Sequence, residues 1–254
     1  VRDTAGAIGL AATVLHKYDL HSTMAVVTAD QVIEPDEPFQ KAMQSALDFV
    51  EEHPEALLTF GVKPTYASTQ YGYIKLGQPV PCGESKDAVR RLEAFKEKPD
   101  AQTAKAYVDS GQYCWNSGMF VWKTKTILDQ LHHFLPACVE PLQKIQSAWG
   151  RTEQEDAIRE WFVKLPKISI DYAVMEKASE VYGILLDCSW RDLGSFTALA
   201  DIIESDAANN IVAAQKAELL DCKNSIVVTE DAGHLIALIG VDNMVVAHSP
   251  DATL

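Results

Sequence analysis

Two aspartates directly follow predicted buried strands, where their carboxylates could do chemistry. Asp192 follows the apolar run 181–186 and precedes a helix-like segment at 197–203, and Asp30 follows an earlier apolar strand. In open α/β sheets, ligands bind where a strand ends and a helix begins. One interpretation of Asp192 is structural, as the cap of the next helix beside the permissive backbone of Gly194. The other is that both carboxylates bind one hard divalent cation such as Mg²⁺.

A second set of polar residues recurs at other predicted strand ends and turns. It combines acids, one amide, one cation and close-approach glycines, namely Gly72, Tyr73, Glu97, Lys98, Asn116, Gly118 and Asp171. Taken singly, the Glu-Lys-Pro segment fits a surface turn and the Asn-Ser-Gly segment fits a β-bulge. Together they predict a sugar pocket, because amides and carboxylates hydrogen-bond hydroxyls, glycines admit the ring and a lysine can meet a phosphate.

The composition of the chain indicates which classes of partner the protein is expected to bind. The formal net charge of −14 argues against nucleic acid or an anionic membrane, although a few placed cations and a metal can still bind a phosphate-bearing small molecule. No apolar run approaches the roughly 20 residues that a membrane span needs. The five cysteines are scattered without a C-x-x-C pair, which favours free thiols in a reducing cytoplasm.

The elements that must position these residues alternate between strands and helices through residues 1–207. This alternation predicts an α/β domain with a covered sheet, and the strands around Gly72 and Gly118 predict that the sheet is mixed. Residues 208–254 contain short β-like runs between Asp, Asn and Gly turns, which predict a small β-rich segment or part of a solenoid. Because both ends look cut, we expect a fragment in which the first domain is N-terminally truncated and the β-rich segment incomplete.

Eight motifs, read in order, carry a resemblance to a known family. They lie at 2–5, 28–30, 61–64, 71–74, 95–99, 115–120, 169–176 and 190–195. The most specific are Trp-Asn-Ser-Gly-Met-Phe at 115–120 and Ser-Ile-Asp-Tyr-Ala-Val-Met-Glu at 169–176. The chain resembles the bacterial-type mannose-1-phosphate guanylyltransferases, also called GDP-mannose pyrophosphorylases, over nearly its whole length.

The resemblance implies a Rossmann-like nucleotidyltransferase domain that converts GTP and mannose 1-phosphate into GDP-mannose and pyrophosphate with Mg²⁺. Asp30 and Asp192 would hold the metal, and Lys98 would approach the sugar phosphate. The other expected substrate-binding residues are Arg2, Asp3 and Thr4 near guanine, Gly72, Tyr73, Glu97, Asn116 and Gly118 on the sugar side, and Asp171 on the sugar or the metal side. We expect no nucleic-acid or membrane partner, and a homodimer is one assembly to test.

Departures from the family pattern keep alternatives open. The family's Gly-rich, Arg-containing triphosphate loop would precede Val1, so the chain as given is expected to bind and turn over substrate poorly. Unusual residues stand at Asp3, Gly6, Gln31, Gln70 and Arg191. The alternatives are a same-fold nucleotidyltransferase for another nucleotide and hexose 1-phosphate, or a non-catalytic regulatory protein that binds nucleotide sugars.

Overall fold

A computed structural model of the protein describes residues 2–81 and 89–254. The chain divides into two compact units. Unit 1 comprises Val1–Thr28 and Pro35–Cys188, and unit 2 comprises Ala29–Glu34 and Ser189–Leu254. The domain boundary at 207/208 stays a prediction from the sequence.

The chain contains six α-helices and fourteen strands within the described residues. The helices are α1 (Asp3–Tyr18), α2 (Asp36–Glu52), α3 (Ala101–Ser110), α4 (Thr124–Phe134), α5 (Val139–Ala148) and α6 (Gln154–Trp161). The strands are β1 (Thr23–Val26), β2 (Gln31–Glu34), β3 (Leu57–Val62), β4 (Tyr73–Val80), β5 (Val89–Lys96), β6 (Tyr113–Lys123), β7 (Val181–Leu185), β8 (Ser189–Asp192), β9 (Ile211–Ala213), β10 (Ala217–Leu220), β11 (Ile226–Thr229), β12 (Ile236–Ile239), β13 (Val245–Ser249) and β14 (Ala252–Thr253).

Unit 1 is built on a six-stranded sheet. Its order is β1-β6-β3-β7-β5-β4, and the long strand β6 also pairs with β4. β3 and β7 run parallel, whereas the other pairings are antiparallel. Every residue of β3 is buried, as expected for a strand covered on both faces. The predicted α/β fold with a mixed central sheet is confirmed.

Helices α1, α4 and α5 pack together in the core of unit 1. An ideal Cβ on Gly9 of α1 would lie 3.1 Å from a methyl of Leu142 and 3.3 Å from a methyl of Leu131. The bare backbone at Gly9 therefore lets the three helices approach closely. Trp122, on β6, is fully buried in the same cluster. The described part of the chain contains no helix long and apolar enough to cross a membrane.

Among the described residues, the strands of unit 2 form three small sheets. β2 pairs antiparallel with β8, with Gln31 opposite Asp192. The later strands mostly run parallel, as β9-β11-β13 and β10-β12. Asn209, Asn224 and Asn243 hold positive φ at corresponding turns, and Nδ2 of Asn209 donates to Oδ1 of Asn224 at 3.1 Å. The predicted β-rich C-terminal segment is confirmed, and its parallel pairing is typical of a solenoid.

Candidate active site

Asp30 and Asp192 meet in unit 2 because β2 and β8 pair beside them. The backbone N–H of Leu193 donates to the carbonyl of Asp30 at 2.8 Å. An ideal Cβ on Gly194 would lie 2.9 Å from Oδ1 of Asp192 and 3.7 Å from Oδ2 of Asp30. The two carboxylates therefore approach one point, which the absent side chain of Gly194 leaves open.

The surroundings of Asp192 differ from the sequence-based expectation. The residue ends strand β8 and does not lie in a turn that joins β7 to a helix. The following 3₁₀ helix, Phe196–Asp201, has Ser195 at its N-cap, so the capping interpretation is wrong. Oδ1 of Asp192 instead accepts the N–H of Gly194 at 2.8 Å, which fixes the orientation of the carboxylate.

Two unusual residues beside this pair belong to the β2–β8 ribbon. Nε1 of Trp190 donates to Oε1 of Gln31 at 2.9 Å. The guanidinium of Arg191 donates to the carboxylate of Glu34 across the two strands. Gln31 and Arg191, which both depart from the family pattern, thus form hydrogen bonds between β2 and β8 beside the two aspartates.

The residues of this site fit a divalent metal. Two carboxylates that share one open point offer the hard oxygen ligands that Mg²⁺ prefers. Mg²⁺ typically binds through one or two carboxylates plus substrate phosphates. Asp30 and Asp192 could hold such an ion.

In unit 1, Asn116 is the centre of a buried polar cluster. Its Oδ1 accepts the hydroxyl of Thr59 at 2.8 Å, and its Nδ2 donates to Oδ1 of Asp171 at 2.9 Å. Its backbone N–H donates to the carbonyl of Gly72 at 2.8 Å. Because the amide oxygen and nitrogen have different partners, the orientation of the amide group is fixed.

Glu97 lies beside Gly72, and the missing side chain of Gly72 makes room for the carboxylate in its present position. An ideal Cβ on Gly72 would collide with Oε2 of Glu97 and lie 3.3 Å from Cβ of Asn116. The backbone N–H of Glu97 donates to Oε1 of Glu176 at 2.7 Å. Oε1 of Glu97 lies 3.7 Å from Nζ of Lys98. Gly72, Glu97 and Asn116 thus form one wall of the cluster.

The buried carboxyls of the cluster are hard to ionise. Burial raises the pKa of Glu97 to about 7, the negative charge of Asp171 adds to the effect, and the cation of Lys98 opposes it. Burial also raises the pKa of Asp171, although its hydrogen bond from Asn116 favours the carboxylate. Titratable groups perturbed by burial and by specific partners are common at functional sites.

Two residues of the predicted site hold unusual backbone conformations. Asp3 has φ of 60° and Lys98 has φ of 42°. A positive φ is uncommon for a residue with a side chain and is enriched at functional sites. Asp3 also raises the pKa of Asp171 through its charge, which places it near the cluster.

Arg2 and Thr4 connect the start of α1 to the segment before Asp171. The hydroxyl of Thr4 accepts the N–H of Ile170 at 2.8 Å. The guanidinium of Arg2 donates to the carbonyl of Val163. These bonds give both side chains a structural function, and their predicted place near guanine stays a prediction.

Tyr73 and Gly118 occupy different settings. The ring of Tyr73 is fully buried, and its hydroxyl donates to the carbonyl of Ser68 at 2.9 Å, so this side chain packs in the core. Gly118 has φ of 74° and lies within β6, where its N–H donates to Oδ1 of Asn116 at 3.4 Å. The positive φ of Gly118 is a conformation that residues with a side chain rarely adopt.

Sequence reasoning missed two members of the cluster. Thr59 is fully buried in the apolar strand β3, where one hydroxyl among hydrophobic residues is a recognisable signal. Glu176 ends the Ser-Ile-Asp-Tyr-Ala-Val-Met-Glu motif, yet its bond to the backbone of Glu97 needs the tertiary structure. Both residues position groups that the sequence had already indicated.

The nucleotidyl transferase family matches residues 1–209. Together with the mixed sheet and the two carboxylate sites, this match shows that the chain belongs to that family. Its members typically use a divalent metal, which agrees with the oxygen ligands that Asp30 and Asp192 present.

More specific relatives agree with the resemblance. The Xanthan biosynthesis protein XanB of Xanthomonas campestris is 39% identical over 100% of this chain and 52% of its own length. The mannose-1-phosphate guanylyltransferase of Escherichia coli K12 is 35% identical over 100% of this chain and 52% of its own length. The chain therefore spans about half the length of these curated relatives.

A solved structure covers the whole fold. The Thermus thermophilus protein described as a mannose-1-phosphate geranyltransferase aligns with a TM-score of 0.78 and 32% identity over 100% of this chain and 70% of its own. The resemblance drawn from the eight motifs is confirmed by these comparisons.

Proposed function

We propose that the protein is a mannose-1-phosphate guanylyltransferase that makes GDP-mannose and pyrophosphate from GTP and mannose 1-phosphate. The observation that carries the proposal is the buried cluster of Asn116, Glu97 and Asp171, found in a chain 35% identical to an enzyme of that name. A buried amide between two carboxyls offers both donors and acceptors, which the hydroxyls of a hexose require.

Unit 1 supplies the proposed sugar end. Glu97 and Asn116 would hydrogen-bond the hydroxyls, while Gly72 and Gly118 keep backbone close to the ring. The ammonium of Lys98 would meet the sugar phosphate. Asp171 would hold the amide of Asn116 in its present orientation, as their 2.9 Å hydrogen bond indicates.

Unit 2 supplies the proposed metal end. Asp30 and Asp192 would hold Mg²⁺, which when bound would neutralise charge on the triphosphate. The two side chains contribute hard anionic oxygens and no proton transfer. The turn at Arg2, Asp3 and Thr4 is proposed to lie on the guanine side, on the resemblance alone.

The proposed reaction needs no catalytic serine, cysteine or histidine. An oxygen of the sugar phosphate forms a bond to the α-phosphorus of GTP, and the bond from that phosphorus to the bridging oxygen of the leaving pyrophosphate breaks. The attacking phosphate is already an anion, so a general base is not required. The residues of this chain contribute alignment and fixed charge.

Pyrophosphate release tests the proposal. The purified full-length protein, with Mg²⁺, is combined with GTP, ATP, UTP or dTTP and with mannose 1-phosphate or glucose 1-phosphate in every pair. We expect release only with GTP and mannose 1-phosphate. Release with another pair would favour the alternative nucleotidyltransferase, and no release from folded protein with any pair would favour the non-catalytic binding protein.

Matched variants connect the reaction to the site. Asn116→Ala is compared with Asn209→Ala, which changes an asparagine in the β-rich part of unit 2. The first is expected to remove sugar-phosphate turnover and the second to retain it. A homodimer and a cytoplasmic location also belong to the proposal, and sedimentation of the purified protein tests the first.

A further inference from the structure

A cluster of side chains that could bind a metal lies in unit 2 and includes neither Asp30 nor Asp192. Asp231, His234 and His248 each offer a ligand atom, and these atoms lie within 4.8 Å of one another. The rings of the two histidines stack at a centroid distance of 3.6 Å and an interplanar angle of 12°. Within residues 2–81 and 89–254, no other group of three His, Cys, Asp or Glu side chains meets this criterion.

The parallel strands bring these residues together. β11 pairs with β13 so that Thr229 stands opposite His248. The chain then turns after β11, where the N–H of Asp231 donates to Oγ1 of Thr229 at 3.1 Å and the N–H of His234 donates to the carbonyl of Asp231 at 3.2 Å. The turn therefore carries both of its ligand candidates back to His248.

Neighbouring groups orient two of the three side chains. Nδ1 of His248 lies 2.8 Å from Oγ1 of Thr253. When that nitrogen donates to the hydroxyl, Nε2 carries the lone pair that a metal needs. Oδ1 of Asp231 accepts the N–H of Gly233 at 2.8 Å, which leaves Oδ2 for a second partner.

Electrostatic interactions favour a cation beside the two stacked histidine rings. Two imidazolium rings face to face would repel one another, whereas two neutral rings offer lone pairs beside a carboxylate. Two imidazoles and one carboxylate are a donor set that suits Zn²⁺ and related divalent transition metals. The net charge of −14 also favours cation binding.

We propose that Asp231, His234 and His248 form a Zn²⁺-type site with three protein ligands and a fourth position for solvent. At ligand bonds of about 2.0–2.1 Å, tetrahedral ligand atoms lie about 3.3 Å apart. The present spacing of up to 4.8 Å would close to that value by side-chain rotations that also open the ring stack, because parallel rings cannot both direct an in-plane lone pair at one ion. The ion would connect the turn after β11 to strand β13 and thereby stabilise this part of the parallel β structure.

This site differs in chemistry from the aspartate pair. Asp30 and Asp192 present oxygen only, which suits Mg²⁺, whereas imidazole nitrogen is a poor ligand for Mg²⁺. Zinc binding at the histidines is therefore expected to persist in millimolar Mg²⁺.

Competition with a chromophoric zinc chelator, in excess Mg²⁺ and under reducing conditions, tests the proposal. We expect the protein to bind one more equivalent of Zn²⁺ than the His234→Ala/His248→Ala variant. The matched control is His132→Ala/His133→Ala, which removes two adjacent exposed histidines of α4 and should bind as the unchanged protein does. Asp231→Asn should weaken binding at least about tenfold.

A second measurement does not depend on the variants' folding. Co²⁺ added to the unchanged protein should give visible d–d absorption, without the ultraviolet thiolate band of a cysteine site, and Zn²⁺ should abolish it. Equal Zn²⁺ stoichiometry and affinity in the unchanged protein and the His234/His248 variant would overturn the proposal. So would a thiolate band on Co²⁺ binding, or loss of the extra equivalent in the His132/His133 control.

Discussion

The buried carboxyl of Glu97 should make the protein less stable as the pH rises. Replacing Glu97 by Gln should abolish this pH-dependent destabilisation. The ordinary pKa of this group is 4.5, and burial with the charge of Asp171 raises it to about 7 in the folded protein. Between these values the folded state binds more protons than the unfolded state. The free energy of unfolding therefore falls as the pH rises through this window.

The structure sets the expected size of the effect. A rise in pKa from 4.5 to about 7 corresponds to about 3 kcal/mol, at roughly 1.4 kcal/mol per pH unit. About 2.5 kcal/mol of this falls between roughly pH 5 and pH 8. Gln has nearly the same shape and cannot ionise, so Glu97→Gln should lack this contribution.

Urea denaturation at several pH values, followed by near-ultraviolet circular dichroism, measures the difference between the two proteins. The variant should gain stability relative to the unchanged protein by about 2–3 kcal/mol between about pH 5 and pH 8. Glu52→Gln, at the exposed end of α2, serves as control and should give a flat difference. A flat difference for Glu97→Gln as well would refute the reasoning.

Three further substitutions test the candidate site. Gly72→Ala should displace the Glu97 carboxylate, because the added Cβ would collide with it. The KM for the sugar phosphate should rise about tenfold without a matching rise in the KM for GTP. Equal rises in both KM values would argue against contact between this wall and the sugar. Asp192→Asn should lower metal-dependent turnover more than about tenfold with an unchanged circular dichroism spectrum, and near-normal activity would exclude it as a ligand. Asn116→Ala should cost about 1–3 kcal/mol of stability by leaving Asp171 without its donor, and should weaken sugar-phosphate binding more than GTP binding in calorimetry.

The fold was largely predictable because hydrophobic periodicity and glycine placement report local structure. The apolar stripe of α1 and the C-terminal glycine of α3, Gly111 with φ of 65°, are signals of this kind. The Asn-Ser-Gly segment at 116–118, which taken singly fits a β-bulge, lies within the continuous strand β6. Between the pairs Thr59–Phe120 and Gly61–Asn116, β6 has three intervening residues and β3 has one, so the irregularity lies in β6, where Gly118 has φ of 74°. The β-bulge interpretation of this segment is therefore confirmed.

The candidate site was predictable in its residues but not in its contacts. Motif and residue type indicated Glu97, Asn116 and Asp171. The raised pKa of Glu97 and the bond from Asn116 to Asp171 follow from burial and tertiary packing, which a sequence does not display. At Tyr73 the residue type was misleading. A tyrosine beside a glycine suits a sugar site, but in the structure its hydroxyl donates to the carbonyl of Ser68.

The ribbon of β2 and β8 has a consequence for the order of folding. Gln31 and Trp190 are in contact although 159 positions separate them in the chain. Closing so long a loop costs entropy before the contact forms, so such pairings are expected late in folding. Strand β2 therefore cannot pair with β8 until the chain has been synthesised through Asp192. The carboxylate pair that it carries with β8 is then a late product of folding, and an intermediate without this ribbon would not hold Asp30 and Asp192 together.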